Sequence, residues 1–287
     1  MKVLKEPCKV QALSNELRKE GRIIGFVPTM GYLHEGHLSL VRRSKAECDV
    51  TFVSIFVNPT QFGPGEDYEK YPRDEERDLS LLKDLGVDYV FIPDVKDVYL
   101  EGYSTYVDEV SLSRYLCGAS RPGHFRGVCT IVTKLFNIVK PHKAYFGKKD
   151  YQQYRIIERM VRDLQMEVEV VPCEIVREPD GLAMSSRNVY LTPEERKDAA
   201  CLYRSLILAR DMVRNGERNS SEIIKKMEEF ILRHKSVKRI DYIAIVDRYD
   251  LTPVDTIRGK ELIALAVFIG RARIIDNIEI LEKDLGM

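Results

Sequence analysis

The chain has 287 residues, 44% hydrophobic and 31% charged, which suits one large α/β domain or a main domain with a smaller companion. Lys and Arg total 45, as do Asp and Glu, so the net charge is zero and wholesale coating of nucleic acid is not expected. The N-terminal stretch MKVLKEPCKVQALSNELRKE lacks an apolar core and no long apolar run follows, so the reading is no membrane span, no secretion signal and a cytoplasmic protein.

In chain order, Ile23–Val27 is a short apolar run of strand type. It leads into FVPTMGYLHEGHLSL, where a helix is predicted over Gly36–Glu47. His34 and His37 stand at i and i+3 at the start of that helix. A helix N-terminus offers unpaired N–H groups and a partial positive charge, which suits phosphate oxygens. Gly31 and Gly36 let the backbone approach a ligand, and two imidazoles on one face can meet one anion. Half of a zinc site is the competing reading, but no HExxH or third ligand accompanies the pair.

Val50–Val57 (VTFVSIFV) reads as a strand buried on both faces. Helix Asp74–Leu85, strand Tyr89–Ile92, helix Gly127–Val139, strand Ala144–Phe146 and helix Gln152–Leu164 follow, with strands expected at Val168–Val171 and Glu174–Val176. Strands alternating with helices imply a doubly wound parallel sheet, whose ligands gather at the carboxyl ends of the strands. The pattern then changes. Thr192 caps a helix with Pro193 at its first position, helices are predicted over Glu194–Asn215 and Ser221–His234, and strands over Ile240–Val246 and Leu262–Phe268. The expected organisation is a Rossmann-like domain over residues 1–177 and a smaller α+β domain over 178–287 covering the site. The six cysteines form no CxxC pair and are expected to be reduced.

His34-Glu35-Gly36-His37 together with Met184-Ser185-Ser186-Arg187 resembles the HxGH nucleotidyltransferase superfamily, in which two such motifs grip ATP. FVPTMGYLHEGHLSLV, SIFVNPTQFGPGEDYEKYPR, RPGHFRGV, AYFGKKDYQQ and AMSSRN, in this order, are similar to the pantothenate synthetase (pantoate–β-alanine ligase) family. That resemblance implies ATP-dependent joining of pantoate to β-alanine through a pantoyl adenylate, with ATP and Mg²⁺ required. It assigns ATP to Met30, Gly31, Tyr32, Leu33, His34, Glu35, Gly36 and His37, with His37 as proton donor and His34 steadying phosphate. It adds Gly147, Lys148, Lys149, Asp150, Val176, Met184, Ser185, Ser186 and Arg187 to the ATP contacts. Gln61 would bind pantoate and lie against β-alanine, and Gln153 would be the second pantoate contact. Arg121 is a weaker candidate for phosphate and Asp78 for a place near magnesium, with no protein ligand to the metal assigned. His124 is read as structural, and Glu66 and Asp67 as loop charges. A homodimer is implied, with Val50–Val57 and its neighbourhood offered as a contact region. The AVFIGRARIIDN stretch keeps the family's glycine and IDN ending.

Three other readings predict different features. A mononucleotide adenylyltransferase should lack the NPTQFG and FGKKDYQQ blocks. An RNA-binding synthetase relative should carry a basic anticodon-binding region. A nucleotide sensor should have lost a histidine or the phosphate-gripping loop.

Overall fold

The computed structural model describes residues 1–286. Two compact units result, one of residues 1–110, 121–148 and 153–175, the other of residues 111–120, 149–152 and 176–287. The second unit thus draws two short segments from within the first part of the chain.

The first unit holds β1 (Lys2–Leu4), α1 (Pro7–Lys19), β2 (Ile24–Thr29), α2 (Glu35–Glu47), β3 (Val50–Ile55), α3 (Glu75–Asp84), β4 (Tyr89–Phe91) and α4 (Val95–Val98). After α5 (Leu116–Ser120), which belongs with the second unit, come α6 (His124–Val139), β5 (Lys143–Gly147), α7 (Tyr151–Asp163) and β6 (Glu169–Cys173). The sheet is parallel throughout, in the order β1-β4-β3-β2-β5-β6. Strand order reverses between β2 and β5, which is where a doubly wound sheet opens a crevice at its carboxyl edge.

β2 shows why the sheet is covered on both faces. Its side chains alternate: Val27 joins the cluster of Leu38, Val41 and Leu82 from α2 and α3, while Phe26 meets Phe136 of α6 edge-on at 6.4 Å. α1 packs on α6 over that second face.

The second unit has α8 (Pro193–Ala199), α9 (Cys201–Arg214) and α10 (Ser220–Ile231), then antiparallel β7 (Val237–Asp247), β8 (Lys260–Ile269) and β9 (Ala272–Leu281). Its core joins Leu202, Leu206 and Val213 of α9 and Ile223 and Met227 of α10 to Ile263, Leu265 and Val267 of β8. The fold class is therefore the expected one, a Rossmann-like parallel sheet with a smaller α+β unit.

Several expectations need correction. Glu174–Val176 is not a strand, because the partner strand β5 ends at Gly147, which pairs with Cys173, and leaves no edge to bond to. The helix expected over Glu194–Asn215 breaks at Ala200 into α8 and α9. β1, α1 and β9 were not anticipated. β3 lies between β2 and β4 with Val50 to Ser54 buried.

Candidate active site

The site of the first unit is built from the turn between β2 and α2. Gly31 (φ +80°) and Tyr32 (φ +51°) take left-handed backbone one after the other. Glycine is required at 31, since a Cβ there would lie 2.9 Å from Ile55 Cγ2 and 3.1 Å from Asp78 Oδ2. Tyr32 is strained, and Asp78 from α3 offsets the strain: its Oδ2 accepts the Tyr32 N–H and its Oδ1 the Leu33 N–H, each at 2.7 Å. Asp78 is 1% exposed, and burial raises its carboxyl above the usual range against the pull of these two amides. Both of its oxygens thus serve the loop.

His34 is the N-cap of α2. Its Nδ1 accepts the Gly36 N–H at 3.1 Å, and the Nδ1 of His37 accepts the His34 N–H at 3.3 Å, closing a reciprocal cap. The rings lie 4.1 Å apart between centroids. With each Nδ1 an acceptor, each neutral ring carries its proton on Nε2. The pair therefore supplies two N–H donors at a helix N-terminus, as an anion site needs. The expected shared helix face is refined, since His34 stands just outside the helix and meets His37 in a tilted ring contact.

Gln61 closes a short 3₁₀ turn, Pro59–Gln61, after β3. Asn58 orients its amide: Asn58 Oδ1 accepts from the Tyr99 hydroxyl (2.7 Å) and the Thr60 hydroxyl (3.0 Å), so its Nδ2 must donate, to Gln61 Oε1 (3.0 Å) and Gly127 O (3.2 Å). Gln61 Nε2 is left pointing at Met30 Sδ, 3.3 Å away, which brings the Gln61 amide beside the first residue of the histidine loop. Burial pushes the Tyr99 hydroxyl up to about 12, so it donates at every working pH. Asn58 and Tyr99 were missed, although Asn58 stood in the NPTQFG block.

Arg121 is already engaged. Its guanidinium forks onto Glu66 (2.7 and 2.6 Å) and also reaches His124 Nε2 (3.1 Å) and Gln61 O (3.4 Å). Glu66, read as a loop charge, is therefore a structural partner. Burial pushes its carboxyl up, but Arg121 and the Gly63 N–H outweigh that and leave it below the usual range. His124 donates to Gln61 O at 2.8 Å. Gly147 ends β5, beside β2 in the sheet, and Lys148 Nζ pairs with Glu174 at 2.8 Å. Gln153 is half-buried in the first turn of α7.

The remaining candidates lie in the second unit. The Lys149 carbonyl accepts from Asn277 Nδ2 at 2.9 Å, and Lys149 Nζ lies 3.8 Å from Asp150. Val176 O accepts the Met184 N–H at 3.0 Å, and the Ser185 hydroxyl accepts the Arg187 N–H at 3.3 Å, starting the 3₁₀ turn Ser186–Tyr190. Arg177, stacked on Tyr203, grips buried Asp276 with two bonds of 2.7 and 2.9 Å, and Asp276 Oδ1 accepts the Asn277 N–H. The IDN ending is thus a buried polar support for the Lys149 main chain.

Comparisons with known proteins span nearly the whole chain. The family model for pantoate-beta-alanine ligase matches residues 2–279. A pantothenate synthetase of Thermosipho africanus is 62% identical over 278 residues, 97% of this chain and 99% of the relative. The crystal structure of pantothenate synthetase from Thermus thermophilus superposes with a TM-score of 0.91 at 46% identity, covering 98% of this chain and 100% of that one. A pantoate-beta-alanine ligase from Francisella tularensis, complexed with beta-gamma ATP and beta-alanine, gives 0.80 at 36% identity over 97% of each chain. A chain matched along nearly its whole length by the model and by these relatives belongs to the pantoate–β-alanine ligase family.

Proposed function

We propose that the chain condenses pantoate with β-alanine at the expense of ATP, releasing AMP and pyrophosphate, and that the residues above carry the two steps. The carrying observation is the paired Nε2–H donors of His34 and His37, held by their Nδ1 atoms at the start of α2. In the first step the pantoate carboxylate attacks the α-phosphorus of ATP. Charge grows on the departing pyrophosphate, and two fixed donors at a helix N-terminus stabilise it as it forms. His37 donates its Nε2–H hydrogen bond to the leaving group and His34 steadies the phosphates.

Gln61 holds pantoate through its Nε2–H donors, whose direction Asn58 sets, with Gln153 as the second contact. Lys149 neutralises phosphate, Asp150 takes the ribose hydroxyls, and Val176 and Met184–Arg187 complete the ATP contacts. In the second step the β-alanine amine attacks the acyl carbon of the pantoyl adenylate beside Gln61, and AMP leaves. The mixed anhydride must be kept from water until the amine arrives. The complex of the Francisella tularensis relative with beta-gamma ATP and beta-alanine supports the nucleotide and β-alanine parts of this reading.

Mg²⁺ arrives with ATP. It is held chiefly by the phosphates, as magnesium on a nucleotide commonly is. A homodimer in the cytoplasm completes the reading. No described helix is long and apolar enough to cross a membrane, and all six cysteines are unpaired. Product analysis with each substrate omitted in turn tests the assignment: pantothenate should form only when ATP, pantoate and β-alanine are all present. Pantothenate formed without ATP, or none formed with all three, would refute it.

A further inference from the structure

The main chain of Gln61 is gripped from the RPGH segment at the start of α6. His124 Nδ1 lies 2.8 Å from Gln61 O, and His124 Nε2 lies 3.1 Å from Arg121 Nη1. A carbonyl oxygen can only accept and a guanidinium can only donate. These two neighbours permit one state of the ring, with the proton on Nδ1 and a lone pair on Nε2. It is the opposite tautomer to that of His34 and His37. Arg121 is fixed in turn by its fork onto Glu66, whose Oε2 also accepts the Gly63 N–H at 3.2 Å. The circuit from Gln61 through His124, Arg121 and Glu66 to Gly63 therefore ties both ends of one turn.

We propose that His124 is a positioning residue for the reaction. Its Nδ1–H, made obligatory by Arg121, holds the Gln61 main chain where the side-chain amide meets pantoate. Asn58 sets the direction of that amide and His124 sets its place. Arg121 then acts by choosing the tautomer. The inference rests on the assignment of Gln61 to pantoate made above. It goes beyond a packing role because it depends on one N–H at one ring position.

Side-chain length separates the two cases. Asparagine places an amide N–H near the imidazole Nδ1, glutamine near Nε2. His124→Asn should stay close to wild type, whereas His124→Gln should raise KM for pantoate roughly tenfold with KM for ATP unchanged. A space-filling role predicts Gln at least as good as Asn, and that ranking would overturn the proposal. Long-range ¹⁵N–¹H correlation spectra of the histidine-labelled wild-type chain test it without relying on any variant's folding. His124 should report the Nδ1–H tautomer while His34 and His37 report Nε2–H, and an Nε2–H His124 would end the argument. Gln61→Ala separates the underlying reading: an unchanged KM for pantoate would remove the substrate role of Gln61, and the positioning role with it, even with the tautomer as stated.

Discussion

Replacing Asp78 with asparagine tests how the histidine loop is held. The carboxylate accepts two consecutive N–H groups, from Tyr32 and Leu33, at 2.7 Å each. An asparagine keeps one acceptor oxygen and turns an NH₂ group towards the other amide. One charge-assisted bond is lost, worth about 1.5–3 kcal/mol, and the surviving bond becomes a neutral one worth about 1 kcal/mol. Tyr32 at φ +51° stores about 1–2 kcal/mol of left-handed strain, so the remaining bond no longer clearly holds the turn. If the whole loss reaches the transition state, kcat/KM for pyrophosphate release falls roughly 10- to 150-fold. The assay is steady-state pyrophosphate release with melting curves run alongside, at two Mg²⁺ concentrations. Activity within twofold of wild type would refute the reasoning. Rescue by added Mg²⁺ would show that Asp78 serves a cation and not the loop.

Three other perturbations reach different parts of the structure. Gly127→Ala would set a Cβ 2.3 Å from the Thr60 carbonyl oxygen, so the Gln61 turn must move; KM for pantoate should rise, and an unchanged value would show that the turn can shift without effect. Arg177→Met leaves Asp276 buried without its cation and should cost about 3–5 kcal/mol in denaturant unfolding, with the double variant Arg177→Met, Asp276→Leu recovering most of it; no recovery would locate the loss elsewhere. Glu66 is held below its ordinary pKa of 4.5, so its ionised form contributes stability above that value, lost as pH falls through the lower folded value. Melting temperatures of wild type should accordingly drop more steeply below about pH 4.5 than those of Glu66→Gln, and parallel curves would contradict the pairing.

The parts of the molecule that follow period and punctuation were legible. β2 and β3 are short, mainly apolar runs, and α8 announces itself by Thr192, Pro193 and acid in its first turn. β9 was not, because Asp276 and Asn277 interrupt its apolar alternation at its centre, and only tertiary partners explain two polar residues buried there. β1 is three residues long, too short for any pattern to declare itself. The same division runs through the site. His34 and His37 could be placed because helix starts have signatures, whereas the tasks of Asp78, Asn58, Glu66 and His124 depend on contacts between 41 and 69 positions apart in sequence or on a ring tautomer. Glu66 read as a loop charge for want of its distant Arg121. Resemblance named many of these residues, but only the structure shows which atoms they occupy.

The most direct test of the adenylate route is a single turnover with Mg-ATP and pantoate, β-alanine being withheld and then added. The account predicts a pantoate-dependent burst of pyrophosphate at once, with AMP and pantothenate appearing only after the amine arrives. Pyrophosphate release that waits for β-alanine would contradict a separate activation step and with it the role given to the histidine pair.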